Sequence, residues 1–158
     1  MVADPLPVGA RVPDVTLTDA HGTPLHVRDL AGADGPALLV FLPYAFSPVC
    51  TGEIGALGSA LDDLERAGVR VVAITCDPVP ALRAWADAEG YPGELASDFW
   101  PHGEASRAFG VLDESRGVAG RGSFLLDAGR VVWSTSTAPG VARDVEDYRA
   151  AVRGLETG

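Results

Sequence analysis

The sequence predicts an α/β protein with a central mixed sheet flanked by helices, and three stretches carry that prediction. Ala37-Leu38-Leu39-Val40-Phe41-Leu42 is aliphatic enough for a buried strand, and Ile54, Leu57, Leu61 and Leu64 follow it at helical spacing. Val69 to Asp77 is a second, near-continuous apolar run of the doubly covered parallel kind, followed by a helix over 80–90 with Leu82, Trp85 and Ala86 on its apolar face. Strand-helix-strand-helix order implies parallel pairing through right-handed crossovers. Arg121 to Trp133 supplies two more strands joined by Asp127-Ala128-Gly129, an antiparallel hairpin that closes the sheet.

The remaining elements follow in order. Val15 to Asp19 alternates as a half-buried strand, Ala20-His21-Gly22 turns the chain, and Pro24 to Arg28 alternates again, so the two form a hairpin. Residues 31–36 are a loop by composition. The helix after the first buried strand runs to Ala67-Gly68, where glycine suits a left-handed C-cap. Gly52, Gly55 and Gly58 interrupt it at about 1 kcal/mol each relative to alanine. They imply either close packing on one face or a first turn that opens easily. Leu95 begins a short strand that runs into a loop, a short helix ends near Ala108, and Asp144 caps a last helix carrying Val145, Tyr148, Val152 and Leu155.

Length and composition narrow the function. At 158 residues the chain is expected to be one domain, 1–158, burying roughly 70% of its unfolded surface. The net charge is −10, from 12 basic and 22 acidic residues, and no basic cluster offers a nucleic-acid footprint. No apolar stretch approaches the ~20 residues that span a bilayer, and the opening Met1 to Pro7 lacks a basic start followed by an apolar segment. The expectation is a cytoplasmic protein that binds neither nucleic acid nor membrane. Two cysteines are too few for a disulfide scaffold, and His21, His26 and His102 have no metal-ligand spacing.

Chemistry concentrates at the first strand-to-helix junction, Phe41-Leu-Pro-Tyr-Ala-Phe-Ser-Pro-Val-Cys-Thr-Gly-Glu53. Ser47 is a good N-cap and Pro48 a good first helical residue, which places Cys50 in the first turn among unpaired amides and at the positive end of the helix dipole. Pro43-x-x-x-Ser47-x-x-Cys50 in this setting resembles the peroxidatic motif of the peroxiredoxins, thiol peroxidases of thioredoxin-like fold. Arg121-x-x-Phe124-x-x-Asp127-x-Gly129 is similar to the family's arginine and the strand after it. Phe109-Gly110-Val111 and the Gly9-x-x-x-Pro13-Asp14 opening add to the likeness, with Val15 where the family commonly has Phe. The resemblance extends from Val8 to Leu155. Leu42 to Ser47, Ser97 to Gly103 and Gly120-Arg121-Gly122 are most similar to the one-cysteine alkyl hydroperoxide reductase E subfamily.

The resemblance implies a thiolate that attacks one oxygen of hydrogen peroxide or an organic hydroperoxide and becomes a sulfenic acid. A free cysteine near pKa 8.5 is only a few per cent thiolate at neutral pH, and lowering that value to about 6 gains about 30-fold at most. Donors aimed at the moving charge must supply the rest. Carried onto this sequence, Cys50 is the nucleophile and Arg121 a multi-donor cation reaching sulfur and peroxide. Ser47, where Thr is commoner in the family, is a hydroxyl donor, Pro43 a water-excluding ring, and Glu53 the carboxylate that orients an arginine. The implied partners are a peroxide and an external thiol reductant: a low-molecular-weight thiol with a glutaredoxin- or mycoredoxin-like protein, or thioredoxin. A homodimer is implied as well, and no metal, haem, flavin or other cofactor.

Several readings stay open at this level. Cys76 ends a strand parallel to the one leading to Cys50, so both lie at the same sheet edge. It is a buried bystander, a resolving cysteine in a two-cysteine mechanism, or a secondary sensor. Trp100 and Phe46 either line a pocket for an organic peroxide or pack, and His102 either assists protonation or is a solvated loop residue. Outside the enzyme class, the protein would be a peroxide sensor or redox relay with poor turnover.

Overall fold

The computed structural model describes residues 4–32 and 34–157; Met1-Val2-Ala3, part of the leader reading, and Ala33, in the loop over 31–36, lie outside the described residues. The elements are β1 (Thr16–Asp19), β2 (Pro24–His26), α1 (Val27–Leu30), β3 (Ala37–Phe41), α2 (Pro48–Arg66), β4 (Arg70–Thr75), α3 (Val79–Glu89), β5 (Glu94–Ser97), α4 (Glu104–Ala108), β6 (Leu112–Asp113), β7 (Val118–Ala119), β8 (Arg121–Asp127), β9 (Arg130–Thr137) and α5 (Val145–Thr157). Among the described residues, nine strands make one seven-stranded mixed sheet, ordered β2-β1-β5-β4-β3-β8-β9, and a separate β6-β7 ribbon. The expected crossovers are present: β3 pairs with β4 and β4 with β5, both parallel. β1 and β8 flank this parallel centre antiparallel. The turn between β8 and β9 has positive φ at both Ala128 and Gly129, as a two-residue hairpin of matching twist requires.

Strand alternation sorts the apolar residues into two cores, one on each face of the sheet. Ala37, Leu39 and Phe41 with Val72 and Ile74 meet Val27 and Leu30 of α1 and Ala105 of α4. Leu38 and Val40 with Val71 and Ala73 meet α2, α3 and α5 through Ile54, Leu57, Leu61, Trp85, Tyr148 and Val152. On β8, Phe124 and Leu126 belong to the first core and Leu125 to the second, so Arg121 and Ser123 share the parity that faces α2 and α5. That parity brings a strand residue toward Cys50.

Three local expectations need correction. The chain after His26 turns into the short helix α1 instead of continuing the strand, because Val27 and Leu30 are both buried at helical spacing. The β6-β7 ribbon was not anticipated, and β9 continues past Trp133 to Thr137, with a register shift at Leu125/Leu126. The close-packing account of the α2 glycines holds for Gly58 alone, where an added Cβ would lie 3.5 Å from Pro92 and Tyr91. Gly52 and Gly55 face open space.

Candidate active site

The site begins with a change of backbone direction after β3. Phe46 takes φ 68°, a left-handed conformation costing about 1–2 kcal/mol for a side chain of this kind, and its ring lies 6.5 Å from that of Trp85. Ala45 N–H donates to Asp77 Oδ2 at 2.9 Å, tying this turn to the end of β4. The reversal delivers Ser47 to the N-cap of α2 with Pro48 in the first helical position. Ser47 Oγ accepts from the Cys50 amide at 3.4 Å and donates to the Tyr44 carbonyl at 3.2 Å. The hydroxyl proton expected to serve sulfur or peroxide is therefore held by Tyr44 and must rotate to reach a substrate.

Cys50 has no exposed surface. Arg121 Nη2 donates to its sulfur at 3.2 Å, and Arg121 Nε donates to Glu53 Oε1 at 2.8 Å. Glu53 lies one turn after Cys50 on the same helix face and is itself buried. It also receives Arg143, from the backbone N–H at 2.9 Å and from Nε at 2.8 Å, both to Oε2, and from Nη2 to Oε1 at 3.3 Å. Burial pushes the Glu53 carboxyl up, but hydrogen bonds and charge from Arg143, helped by the Arg121 charge, hold it below its ordinary 4.5. Two guanidiniums on one carboxylate leave the buried cluster with one net positive charge. That excess positive charge lies against the sulfur of Cys50.

Above the cluster lies a cavity of about 550 Å³ whose walls include Pro43, Tyr44, Ser47, Val111 and Arg121. It is far larger than hydrogen peroxide and has room for an organic substituent. Of the donors beside Cys50, the Arg121 guanidinium faces the sulfur, whereas the Ser47 hydroxyl is engaged by the Tyr44 carbonyl and the Cys50 amide by Ser47 Oγ. A fixed cationic donor in that place is suited to meet negative charge developing beside the sulfur.

The other candidates lie elsewhere. Phe46 and Trp100 are 54% and 79% exposed and neither lines the cavity. His102 Nδ1 faces the Phe99 carbonyl at 3.2 Å and Nε2 the Gly117 carbonyl at 2.5 Å, joining two loops outside the cavity wall. Cys76 continues the parity of Val72 and Ile74, toward the face opposite the core that contains Cys50. Its sulfur lies 3.8 Å from Ser106 Oγ of α4, and burial, with the nearby Asp98 charge, pushes its thiol up to about 11. Among the described residues, no group of three or more His, Cys, Asp or Glu is placed to hold a metal, and no helix is long and apolar enough to cross a membrane.

Arg143 was missed by sequence reading. It sits in the loop between β9 and α5 with no periodicity or motif around it, yet it is almost fully buried. The available signal was indirect: Glu53 lies on the apolar face of α2 between Cys50 and Leu57, and a carboxylate there needs cations to meet it.

A model of the AhpC/TSA family matches residues 8–134. The chain belongs to the AhpC/TSA family. Its relatives within that family include alkyl hydroperoxide reductase E of Mycobacterium tuberculosis, 38% identical over 151 residues, with 95% of this chain and 98% of that protein covered. Among solved structures, Mycobacterium tuberculosis AhpC superposes with a TM-score of 0.86 at 24% identity, covering 98% of this chain and 95% of that one, a likeness of fold. Peroxidoxin BcpB from the same organism gives 0.82 at 27% identity, covering 94% and 97%. As an AhpC/TSA protein this chain is a peroxiredoxin, a thiol-dependent peroxidase of thioredoxin-like fold that takes a peroxide and a thiol reductant.

Proposed function

We propose that Cys50 is the peroxidatic thiol and that the enzyme works by a one-cysteine mechanism. The Cys50 thiolate attacks one oxygen of hydrogen peroxide or an organic hydroperoxide in line with the O–O bond. The S–O bond forms, the O–O bond breaks, and the departing oxygen takes a proton to leave as water or an alcohol, with Cys50 as its sulfenic acid. Arg121 holds the sulfur and meets the developing charge, Ser47 turns its hydroxyl from Tyr44 to the peroxide, Pro43 shelters the sulfur, and Glu53 holds Arg121 in place. The observation that carries this reading is the 3.2 Å contact from Arg121 Nη2 to Cys50 Sγ inside a buried cluster that lacks one negative charge.

An outside thiol then condenses with the sulfenic acid, releasing water and leaving a mixed disulfide, and a second thiol reduces that bond. A low-molecular-weight thiol with a glutaredoxin- or mycoredoxin-like protein, or thioredoxin, has the required chemistry. The placement of Cys76 toward the other face, protonated and against Ser106, favours this reading over resolution by Cys76. We assign residues 1–158 to one peroxidase domain in a cytoplasmic setting, where both free thiols stay reduced. The same proposal includes a homodimer that covers the exposed Tyr44, Phe46, Phe99 and Trp100.

Intact-mass analysis after one equivalent of peroxide, with a sulfenic-acid trap present, separates the readings. One trapped adduct at Cys50, unchanged by Cys76→Ser, is expected. A loss of two hydrogens abolished by Cys76→Ser would instead make Cys76 the resolving thiol. Rapid oxidation with negligible steady-state turnover on every thiol system would move the protein to the sensor or relay class.

A further inference from the structure

The hydrogen bonds that fix Glu53 do not end at Arg143. Arg143 Nη1 donates to the Gly122 carbonyl at 2.8 Å and to Ser123 Oγ at 3.0 Å, and Ser123 Oγ lies 2.9 Å from the Tyr148 hydroxyl. Ser123 has no exposed surface and Tyr148 almost none. Tyr148 belongs to the first turns of α5, and its ring meets Trp133 edge-on at 6.1 Å. Burial pushes its phenol above the ordinary 10, despite the opposing Arg143 charge, so at working pH it is a neutral hydroxyl. A continuous chain of contacts therefore runs from the last helix through Ser123, Arg143, Glu53 and Arg121 to the sulfur of Cys50.

We propose that Tyr148 is a positioning residue for peroxide reduction, acting through Ser123 and Arg143 to hold Glu53, and with it the Arg121 guanidinium, against Cys50. The proposal rests on the assignment of Cys50 and Arg121 made above. A guanidinium is a rigid planar fork, so its orientation is set by what its two edges meet. One edge of Arg143 meets Glu53. The other meets a backbone carbonyl, which is fixed, and a serine hydroxyl, which turns about χ1 unless something holds it. Tyr148 is that restraint. Releasing it lets Ser123 turn, lets Arg143 tilt, and changes how Glu53 divides itself between two arginines. The displacement is small, but misplacement of about 1 Å at a reacting centre costs up to about 100-fold in rate.

Tyr148→Phe tests this while keeping the ring and its contact with Trp133. The readouts are the second-order rate constant for oxidation of the reduced protein by hydrogen peroxide, the ultraviolet absorbance of the thiolate near neutral pH, and the melting temperature. Tyr148→Phe is expected to slow oxidation roughly three- to tenfold and to lower the thiolate absorbance, and Ser123→Ala is expected to do the same. In an Arg143→Lys background, Tyr148→Phe should add nothing, because the route it acts through is already broken. Wild-type rate and thiolate absorbance in Tyr148→Phe would overturn the proposal, even with a lowered melting temperature, since that is the signature of packing alone. Equal slowing in both backgrounds would also overturn it. A wild-type protein oxidised no faster than a free thiol is a separate result, one that removes the Cys50 reading on which this proposal stands.

Discussion

Glu53 and Arg143 face each other through three hydrogen bonds, one from the backbone and two from the guanidinium, although 90 residues of chain separate them. Two of the three bonds go to Oε2, and Oε1 takes the longer one, at 3.3 Å, together with Arg121 Nε at 2.8 Å. Arg121 is thereby held by its Nε edge, and its Nη2 is free to point at the sulfur of Cys50. The carboxylate works as a fixed post on which the sulfur-facing arginine turns.

Arg121→Ala removes the guanidinium donor on the sulfur and should slow oxidation by hydrogen peroxide about 10²- to 10³-fold, the range for loss of one donor to a developing oxyanion. Arg121→Lys should fall between this variant and wild type, because a single ammonium cannot hold Glu53 and meet the sulfur at once. Stopped-flow rates on the reduced proteins check both.

Glu53→Gln leaves two buried guanidiniums without their counter-charge and should destabilise the fold by about 3–5 kcal/mol at neutral pH. Because the folded-state value of Glu53 is depressed, its contribution is complete above the ordinary 4.5 and disappears as pH falls through the lower folded value. Asp98 acts in the opposite sense: burial raises it despite the hydrogen bonds from Ser106 and Ala105, so its protonation favours the folded state as pH falls. Urea unfolding of wild type and Glu53→Gln across this range should show their difference shrinking toward acid, with the Asp98 contribution common to both.

Gly52→Ala and Gly55→Ala should each stabilise the protein by about 0.5–1 kcal/mol, since an added Cβ meets nothing at either position. Melting temperature should rise by about 2–4 °C per kcal/mol. The same changes should slow the reaction of oxidised Cys50 with an external thiol. A cysteine with no exposed surface meets a reductant only when the first turns of α2 open, and alanine makes that opening costlier. Rates of mixed-disulfide formation in the paired variants provide the check.

Much of the site was legible because its signals are local. Ser47, Pro48 and Cys50 lie within four residues, and Glu53 follows one turn later on the same helix face. The sheet was legible because β3 is an unbroken apolar run and β4 a near-continuous one, each followed by helical spacing. Arg143 was not, since nothing near it in the chain marks a residue whose role comes from meeting Glu53 across the fold. Helix α1 is four residues long, too short for periodicity to distinguish it from the end of a strand. Cys76 was legible in part. Its sheet edge was read from topology, but its face follows from counting alternate residues from Val72 and Ile74, and that count separates it from the core holding Cys50.

The most direct test of the central claim is the stopped-flow reaction of reduced protein with one equivalent of hydrogen peroxide, followed by tryptophan fluorescence. Trp85 is well placed to report it, since its Nε1–H donates to Thr51 Oγ1, next to Cys50, at 3.2 Å. A fast change that Cys50→Ser abolishes and that ends in a single sulfenic acid at Cys50 is the predicted result. Oxidation no faster than that of a free thiol, or oxidation that survives Cys50→Ser, would contradict it.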